Sequence, residues 1–435
     1  MLRRSIAVVF CLVILAGNSF ADQLSNEKGK AKQMLKVVVS EIQKNYYDPD
    51  LKGIDLTKLT SQASEMIEGA RSVGEVYMVI YGLVDRINDS HTVFDPPPRT
   101  VFPKFEFSAK AFGDKVYVNW VKKKGVADKG GLQAGDRLLQ VNGFEVDRES
   151  INKMMVFFHR IQPVSEFELL VQRGKESPKK VVVVARVERG NVVEGAWYNL
   201  NDIFSSLEHP PNEDDGAFID AAENNGIGYL YLRSFVRDPD NINRVASLAG
   251  KQPKGVIIDL RGNFGGIVDT LVNFSGHFVT QEEEMAQMVR RKKTEPIKIK
   301  PQRGSYSVPM AILIDSQSSS AAEMFARHFQ RAHKATVVGD RSAGKVVTAR
   351  YFQQELGAGS VTYFGVNISI GKVLFPGGED LEGNGVTPDI KCLPSPEDLG
   401  QSRDVCYGVA LAALEKQLGI NTNRTTKPQS ASADY

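Results

Sequence analysis

The first long segment of the chain has apolar residues at helical spacing. Between residues 27 and 87 they recur three and four positions apart, at Met34, Val37, Val38, Ile42, Leu59, Ala63, Ile67, Val76, Val79, Ile80 and Leu83. This period predicts two or three helices with one buried face, broken at Tyr47-Asp48-Pro49. We expect residues 22–100 to form a helical region that packs against a larger body.

The pattern changes to short β-forming runs between about residues 102 and 187. These runs predict strands at 115–118, 138–141 and 181–184, with one helix near 149–157. Asn142-Gly143 predicts a tight hairpin turn, because both residues tolerate a positive φ. Residues 101–188 are therefore expected to form a separate small domain.

Strands and helices alternate in the next part of the chain. Apolar segments of strand or helix type lie at 229–235, 255–260, 268–278, 310–314, 321–331 and 335–338. This alternation predicts an α/β layer between about residues 226 and 390, within a core domain over residues 189–418, with its site at the carboxyl ends of strands and the starts of helices. The polar residues 419–435 lack periodicity and predict a disordered tail.

Composition and charge fit this division. A chain of 435 residues is expected to split into two or three domains, and 42% hydrophobic with 24% charged residues is typical of a folded protein. There are 54 basic and 52 acidic residues. This balance gives no bulk signature of a nucleic-acid-binding protein.

The N-terminus predicts export. Arg3 and Arg4 precede an apolar run over residues 5–17, and Ser19-Phe20-Ala21 provides small residues before a cut at Asp22. An uncleaved anchor is the alternative, but the run is shorter than the roughly 20 residues that span a bilayer. We expect residues 1–21 to be a cleaved signal peptide and the mature protein to be periplasmic or otherwise exported.

Two cysteines, Cys392 and Cys406, remain after Cys11 leaves with the signal peptide. An oxidising compartment favours a disulfide between them. Two buried free thiols are the alternative, and a metal site is disfavoured because two ligands are too few.

The stretch from Gly131 to Gly143, Gly-Leu-Gln-Ala-Gly-Asp-Arg-Leu-Leu-Gln-Val-Asn-Gly, resembles the PDZ domain, which binds peptide tails as an added strand. One part departs from that family. Residues 105–109, Phe-Glu-Phe-Ser-Ala, stand where the glycine-rich carboxylate-binding loop is usual.

A serine cluster carries the first candidate chemistry. Residues 315–323, Asp-Ser-Gln-Ser-Ser-Ser-Ala-Ala-Glu, follow an apolar strand and open an amphipathic helix. A hydroxyl there lies near N–H groups that can stabilise an oxyanion, although a helix N-cap is the ordinary role of such a serine. Lys345 follows in Gly339-Asp-Arg-Ser-Ala-Gly-Lys-Val-Val, and a desolvated lysine can act as the base of a serine nucleophile.

Two glycine-rich segments complete the candidate site. Residues 255–266, Gly-Val-Ile-Ile-Asp-Leu-Arg-Gly-Asn-Phe-Gly-Gly, run from a buried strand into a turn where N–H groups can approach a ligand. A phosphate loop is disfavoured, because no Gly-Lys-Ser or Gly-Lys-Thr follows. Residues 381–389, Leu-Glu-Gly-Asn-Gly-Val-Thr-Pro-Asp, alone indicate a loop.

These motifs, in this order and together with Asn88-Asp-Ser-His-Thr92, resemble the carboxyl-terminal processing proteases, the tail-specific serine peptidases. The resemblance covers about three quarters of the chain. It implies an α/β fold with a crotonase-like (ClpP/crotonase) spiral core, an N-terminal helical cap and an inserted PDZ domain. It implies Ser320 as nucleophile and Lys345 as base, with oxyanion donors at Gly265 or Gly266 and at Ala321.

Two departures leave the base open. The family often has a glutamine four residues after the lysine, where this chain has Ala349, with Gln353 and Gln354 further on. His91 and Glu382 resemble the base and its support in tricorn-type peptidases, although His91 also fits a structural role in its turn. We favour Lys345 over His91.

We therefore expect an exported serine endopeptidase that cleaves C-terminal or unfolded tails of envelope proteins. Its partners would be protein or peptide substrates bound through the PDZ domain, without nucleic acid, and a homo-oligomer is compatible with the sequence. We expect neither metal nor organic cofactor, because the six histidines lack His-x-x-x-His or similar spacing. The alternative from another functional class is an inactive PDZ scaffold that binds peptides.

Overall fold

A computed structural model describes the backbone of residues 2–99, 101–189, 219–224, 226–235, 253–305, 307–357 and 361–420, and side chains from residue 23 onward except in 219–224. The side chains of the predicted signal peptide and the predicted tail beyond Ile420 lie outside the described residues.

The fold is mixed α/β. The described helices are α1 Leu2–Asn45, α2 Leu56–Gly69, α3 Val73–Asp85, α4 Val126–Lys129, α5 Ser150–Val156, α6 Val268–Ser275, α7 Ala321–Ala332, α8 Pro396–Gly400 and α9 Val405–Gln417.

The described strands form four sheets. They are β1 Val93–Asp95, β2 Val101–Lys104, β3 Phe107–Phe112, β4 Lys115–Val121, β5 Arg137–Val141, β6 Phe144–Glu145, β7 Glu166–Gln172, β8 Lys179–Val184, β9 Arg186–Arg189, β10 Ile219–Asn224, β11 Ile227–Leu232, β12 Gly255–Asp259, β13 Glu283–Arg290, β14 Thr294–Ile299, β15 Met310–Ile314, β16 Thr336–Gly339, β17 Val347–Leu356, β18 Thr362–Leu374 and β19 Ile390–Lys391.

The N-terminal helices form the predicted cap. The carboxylate of Asp55 and the hydroxyl of Ser72 accept backbone N–H groups at the starts of α2 and α3, which satisfies donors that a helix start leaves unpaired. The apolar faces of α1 to α3 pack against one another and against Phe94, Phe364 and Val366 of β1 and β18. No helix among the described residues is long and apolar enough to cross a bilayer.

A five-stranded antiparallel path, β3-β4-β5-β7-β8, builds the segment that resembles a PDZ domain. β5 and β6 meet through Asn142 and Gly143, whose φ angles of 50° and 81° are those of the predicted hairpin turn. β3 is an edge strand of this sheet.

The central sheet has the order β10-β11-β12-β15-β16-β19, and every pair except β10–β11 is parallel. Side chains alternate between its faces. Val256 and Ile258 enter the core under α6 and α7, whereas Ile257 packs under α9. Burial on both faces explains the continuous apolar runs by which the sequence predicts these strands.

An antiparallel sheet with the path β1-β18-β13-β14, in which β17 also pairs with β18, completes the core. The sequence analysis did not predict it. Its strands carry charged residues, as in Glu283–Arg290 and Val347–Leu356, and this hides the apolar signal of their inner face.

The structure joins Cys392 and Cys406 in a disulfide with Cα atoms 5.7 Å apart. It ties the end of β19 to α9. The cysteines are 14 residues apart, and a closed loop of about that length contributes about 3 kcal/mol in the chain-entropy model. We expect the double variant Cys392→Ser/Cys406→Ser to melt at a lower temperature than the oxidised protein. Two alkylatable thiols in the folded oxidised protein would contradict the pairing.

Candidate active site

Three turns meet at one edge of the central sheet. β12, β15 and β16 are parallel neighbours, and their carboxyl ends lead into the segments 260–266, 315–320 and 340–346. Because parallel strands end on the same edge, the three candidate motifs lie side by side.

Ser320 stands immediately before α7 with an unusual backbone. Its φ of 56° and ψ of −118° lie in a region that residues with a Cβ rarely adopt, and this conformation presents the side chain at the start of a 12-residue helix. The preceding loop is folded around Asp315, whose Oδ1 accepts N–H groups from Gly262, Gln317 and Ser318. Burial raises the pKa of Asp315, but the Lys110 ammonium and these donors outweigh it and lower the pKa to about 2.

The glycine turn packs directly against Ser320. A Cβ on Gly265 would lie 2.6 Å from the Cβ of Ser320, and the φ of Gly265 is 93°, so glycine is required on both counts. Gly265 N–H donates to Asn263 Oδ1 at 2.8 Å. Because this N–H already has an acceptor, it does not point to an oxyanion in this structure. Gly266 and Ala321 remain as candidates.

Glu323 links the turn of Ser320 to the turn of Lys345. This fully buried residue accepts the N–H of Ser320 and the N–H of Lys345 on the same oxygen, Oε2, both at 2.9 Å. Its Oε1 accepts Gly344 N–H at 2.7 Å and the Ser342 hydroxyl at 2.5 Å. Burial raises the pKa of Glu323 to about 7 against the effect of these donors. The backbones of Ser320 and Lys345 are thereby held next to each other.

Lys345 lies in a charged and desolvated environment. Burial lowers its pKa, while the carboxylates of Glu323 and Glu382 oppose that shift. Ala349, Gln353 and Gln354 all lie on β17. From Val347 to Gln353 the strand extends about 20 Å. Neither glutamine therefore takes the place of the lysine-orienting glutamine that is absent at position 349.

His91 belongs to a hydrogen-bonded chain that ends on Glu382. Ser90 Oγ lies 2.7 Å from His91 Nδ1 and donates to Glu382 Oε2 at 3.0 Å. Glu382 also accepts Ser90 N–H on Oε1 at 2.9 Å and Val346 N–H on Oε2 at 2.7 Å. The Asp89 carboxylate fixes this turn by accepting the N–H groups of His91 and Thr92.

The chain of bonds defines the tautomer of His91. An ionised Glu382 can only accept, so the single hydroxyl proton of Ser90 points to Glu382. Ser90 Oγ must then accept from Nδ1–H, which leaves the Nε2 lone pair of His91 to accept a proton. Burial lowers the pKa of His91 to about 4, with the nearby Lys345 ammonium as the second cause. Burial raises the pKa of Glu382, with Ser90 opposing.

Side chains of the PDZ-like domain contact both the Ser320 turn and the Lys345 turn. Lys110 Nζ lies 2.8 Å from Asp315 Oδ2, and Ser316 Oγ donates to the carbonyl of Ala111 on β3 at 2.6 Å. On the other side, Arg148 pairs with Asp340 at 2.8 Å and donates to the Arg341 carbonyl. The domain therefore braces the turn of Ser320 and the turn of Lys345.

A cavity of about 300 Å³ lies between the two domains, beside the glycine turn. It is lined by Lys110, Asn119, Tyr229, Tyr231, Asp259, Arg261, Gly262 and Gln317. The sequence had not indicated the tyrosines of β11 as part of a site. The linking role of Glu323 was not predicted either. The only indication in the sequence is its place at the end of the Ser-Ala-Ala-Glu motif.

Two segments of the chain match models of known protein families. Residues 226–392 match the model of Peptidase family S41, and residues 117–154 match that of a PDZ domain. Similar curated proteins include carboxyl-terminal-processing peptidase 1 of Arabidopsis thaliana chloroplasts, 24% identical, with 64% of this chain and 53% of that protein aligned. The carboxy-terminal processing protease CtpA of Bacillus subtilis is 21% identical, with 89% and 74% aligned. The chain thus spans about half the length of the Arabidopsis relative.

Solved structures show a similar fold. Mature CPAF superimposes with a TM-score of 0.65 at 16% identity, covering 90% of this chain and 98% of that one. The photosystem II D1 C-terminal processing protease gives 0.51 at 16% identity, covering 84% and 94%. At these identities the likeness concerns the fold alone.

Proposed function

We propose that the chain is a serine endopeptidase of family S41 that cleaves C-terminal or unfolded tails of envelope proteins, because residues 226–392 match that family and residues 117–154 match a PDZ domain. The observation that carries the proposal is the position of Ser320, which stands at the start of α7 beside the glycine turn and is linked to Lys345 through Glu323. Cleavage of a disordered protein such as casein tests it.

The reaction would proceed through an acyl-enzyme. Ser320 Oγ attacks the scissile carbonyl while a neighbouring base takes its proton, and the N–H groups of Gly266 and Ala321 stabilise the oxyanion. The protonated base then gives its proton to the leaving amine. Water, activated by the same base, hydrolyses the ester and restores the Ser320 hydroxyl.

We assign the base to His91. The support is the chain Glu382–Ser90–His91, which orients the ring and leaves Nε2 to accept. The charges agree with this choice, because Glu323 and Glu382 stabilise the ammonium form of Lys345 whereas burial keeps His91 neutral. A proton on His91 would be stabilised by the Asp89 carboxylate, which raises the pKa of His91 against the effect of burial.

Lys345 is the second candidate, and the one that the sequence motif favours. Its support is the burial that lowers its pKa and the carboxylate oxygen that its backbone shares with Ser320. The two candidates predict different pH profiles.

The finer fold assignment follows the same resemblance. We propose a crotonase-like spiral for the core, supported by the parallel order β11-β12-β15-β16-β19 with helices on both faces. We also propose export through residues 1–21. The disulfide fits an oxidising compartment, and an exported protein whose first residue is Asp22 is the expected outcome of N-terminal sequencing.

The PDZ segment would guide the tail toward Ser320. β3 is an edge strand, and its Lys110 and Ala111 contact the loop that leads to the nucleophile. A peptide added to β3 as a further strand would therefore lie close to the site. Residues 105–109 stand in place of the usual glycine-rich loop, and Glu106 within them accepts Val126 N–H at 2.9 Å. Recognition of the terminal carboxylate should therefore depend on neighbouring cations such as Lys122.

The brace between the domains gives a prediction for Arg148→Ala. The Arg148 and Asp340 side chains are 9% and 6% exposed, so the variant leaves a carboxylate buried without its partner beside the Lys345 turn. We expect kcat to fall roughly tenfold for a small ester as well as for a peptide tail.

Arg173→Ala is the matched control, because Arg173 pairs with Asp136 inside the PDZ segment. It should leave ester hydrolysis unchanged. Equal ester rates for the two variants would show that Arg148 has no influence on catalysis.

A further inference from the structure

A second group of polar side chains lies at the other end of α7. His328 on this helix and His333 at its C-cap both direct Nε2 at the same oxygen of Glu283, the first residue of β13. The His328 distance to Glu283 Oε2 is 3.0 Å and the His333 distance is 2.8 Å. The sequence spacing had not indicated this site, because Glu283 is 45 residues from His328 and the histidines are five apart.

The three ligand atoms lie close to the spacing that a metal ion needs. They all lie within 4.8 Å of one another. Ligand atoms about 2.0 Å from a tetrahedral ion are about 3.3 Å apart, so small side-chain movements would suffice. His328 is 5% exposed, whereas His333 and Glu283 are 21% and 17% exposed, which gives an ion a path from solvent.

We propose that Glu283, His328 and His333 form a zinc site. Two imidazole nitrogens and one carboxylate oxygen suit Zn²⁺, whereas Ca²⁺ and Mg²⁺ prefer oxygen ligands throughout. The ion takes the place of the two N–H···O hydrogen bonds, as each ring proton moves from Nε2 to Nδ1. Three protein ligands leave the fourth tetrahedral position to water.

The site would stabilise the element that carries the nucleophile. His328 is eight residues after Ser320 on the same helix, about 12 Å along its axis, so the ion is separate from the proposed catalytic cluster. It would join the end of α7 to β13. Zinc binding should therefore stabilise the fold without entering the reaction.

The test uses the full chain without a polyhistidine tag, in the Ser320→Ala form so that self-cleavage cannot interfere. After chelation and removal of the chelator, isothermal titration with ZnCl₂ should show one site per chain. A zinc excess of about a hundred times Kd should raise the melting temperature on the order of 5 °C. Co²⁺ should give the visible absorption of a tetrahedral ion.

His333→Gln and Glu283→Gln should each weaken zinc binding at least about tenfold and remove the thermal shift. His277→Gln is the matched control, because His277 has no part in the cluster, and it should bind zinc like the parent. His91→Ala is a second control, which tests whether zinc binds at the proposed catalytic cluster instead, and it should also bind zinc like the parent.

Absence of stoichiometric binding would overturn the proposal. Unchanged binding in His333→Gln and Glu283→Gln, or loss of binding in His91→Ala, would assign the zinc to another site. A lower melting temperature in the variants, with no zinc effect in the parent, would show that the cluster acts through hydrogen bonds alone. The result for the peptidase reaction is independent of all these outcomes.

Discussion

Replacing Ser320 by alanine is expected to abolish cleavage of casein, with kcat/KM falling roughly 10⁴-fold or more. The alanine removes the oxygen that would form the acyl-enzyme. The melting temperature should be almost unchanged, since the fold keeps the backbone bond from Ser320 N–H to Glu323.

Ser319→Ala is the matched control for this experiment. Ser319 is the preceding serine, and its backbone N–H bonds to Asn263 whichever side chain it carries. We expect it to retain activity within several-fold. Loss of activity in Ser319→Ala, with an active Ser320→Ala, would identify Ser319 as the nucleophile and contradict the assignment of Ser320.

The second large effect concerns the base. His91→Ala is expected to lower kcat roughly 10⁴-fold, because Ser320 would lose the group that accepts its proton. In the parent enzyme, kcat/KM should rise with pH through about 4, the pKa of His91, since the imidazole is the competent neutral form above that value.

Lys345→Met distinguishes the two candidate bases, because each predicts a different change in activity and in the pH profile. The Lys345 ammonium contributes to the low pKa of His91, so its removal should move the acid limb of the profile to higher pH while the enzyme stays active. If Lys345 is the base, Lys345→Met is as inactive as Ser320→Ala. Activity of the parent would then continue to rise above about pH 8, because the amine must lose its proton.

The sequence predicts the parts of the site that lie within single motifs. The strands β12, β15 and β16 are visible as apolar runs because both faces of the sheet are covered, and Ser320 and Lys345 follow two of them. The parallel order of these strands is enough to bring their turns together.

The relations between motifs depend on tertiary contacts that spacing does not encode. Ser90 and Glu382 are separated by 292 residues, and the bonds that make Glu323 a link between two turns form only when the core is assembled. The same reason hides the pairing of β13 with β18, which are distant in the chain, and the group of Glu283, His328 and His333.

Covalent labelling by a fluorophosphonate tests the central claim most directly, because the probe reacts with a serine that has an oxyanion site and a base beside it. Intact mass followed by peptide mapping should show one adduct on Ser320, none in Ser320→Ala and much slower labelling in His91→Ala. A folded protein that takes up no probe would fit the inactive PDZ scaffold, and an adduct on another serine would contradict the assignment of Ser320.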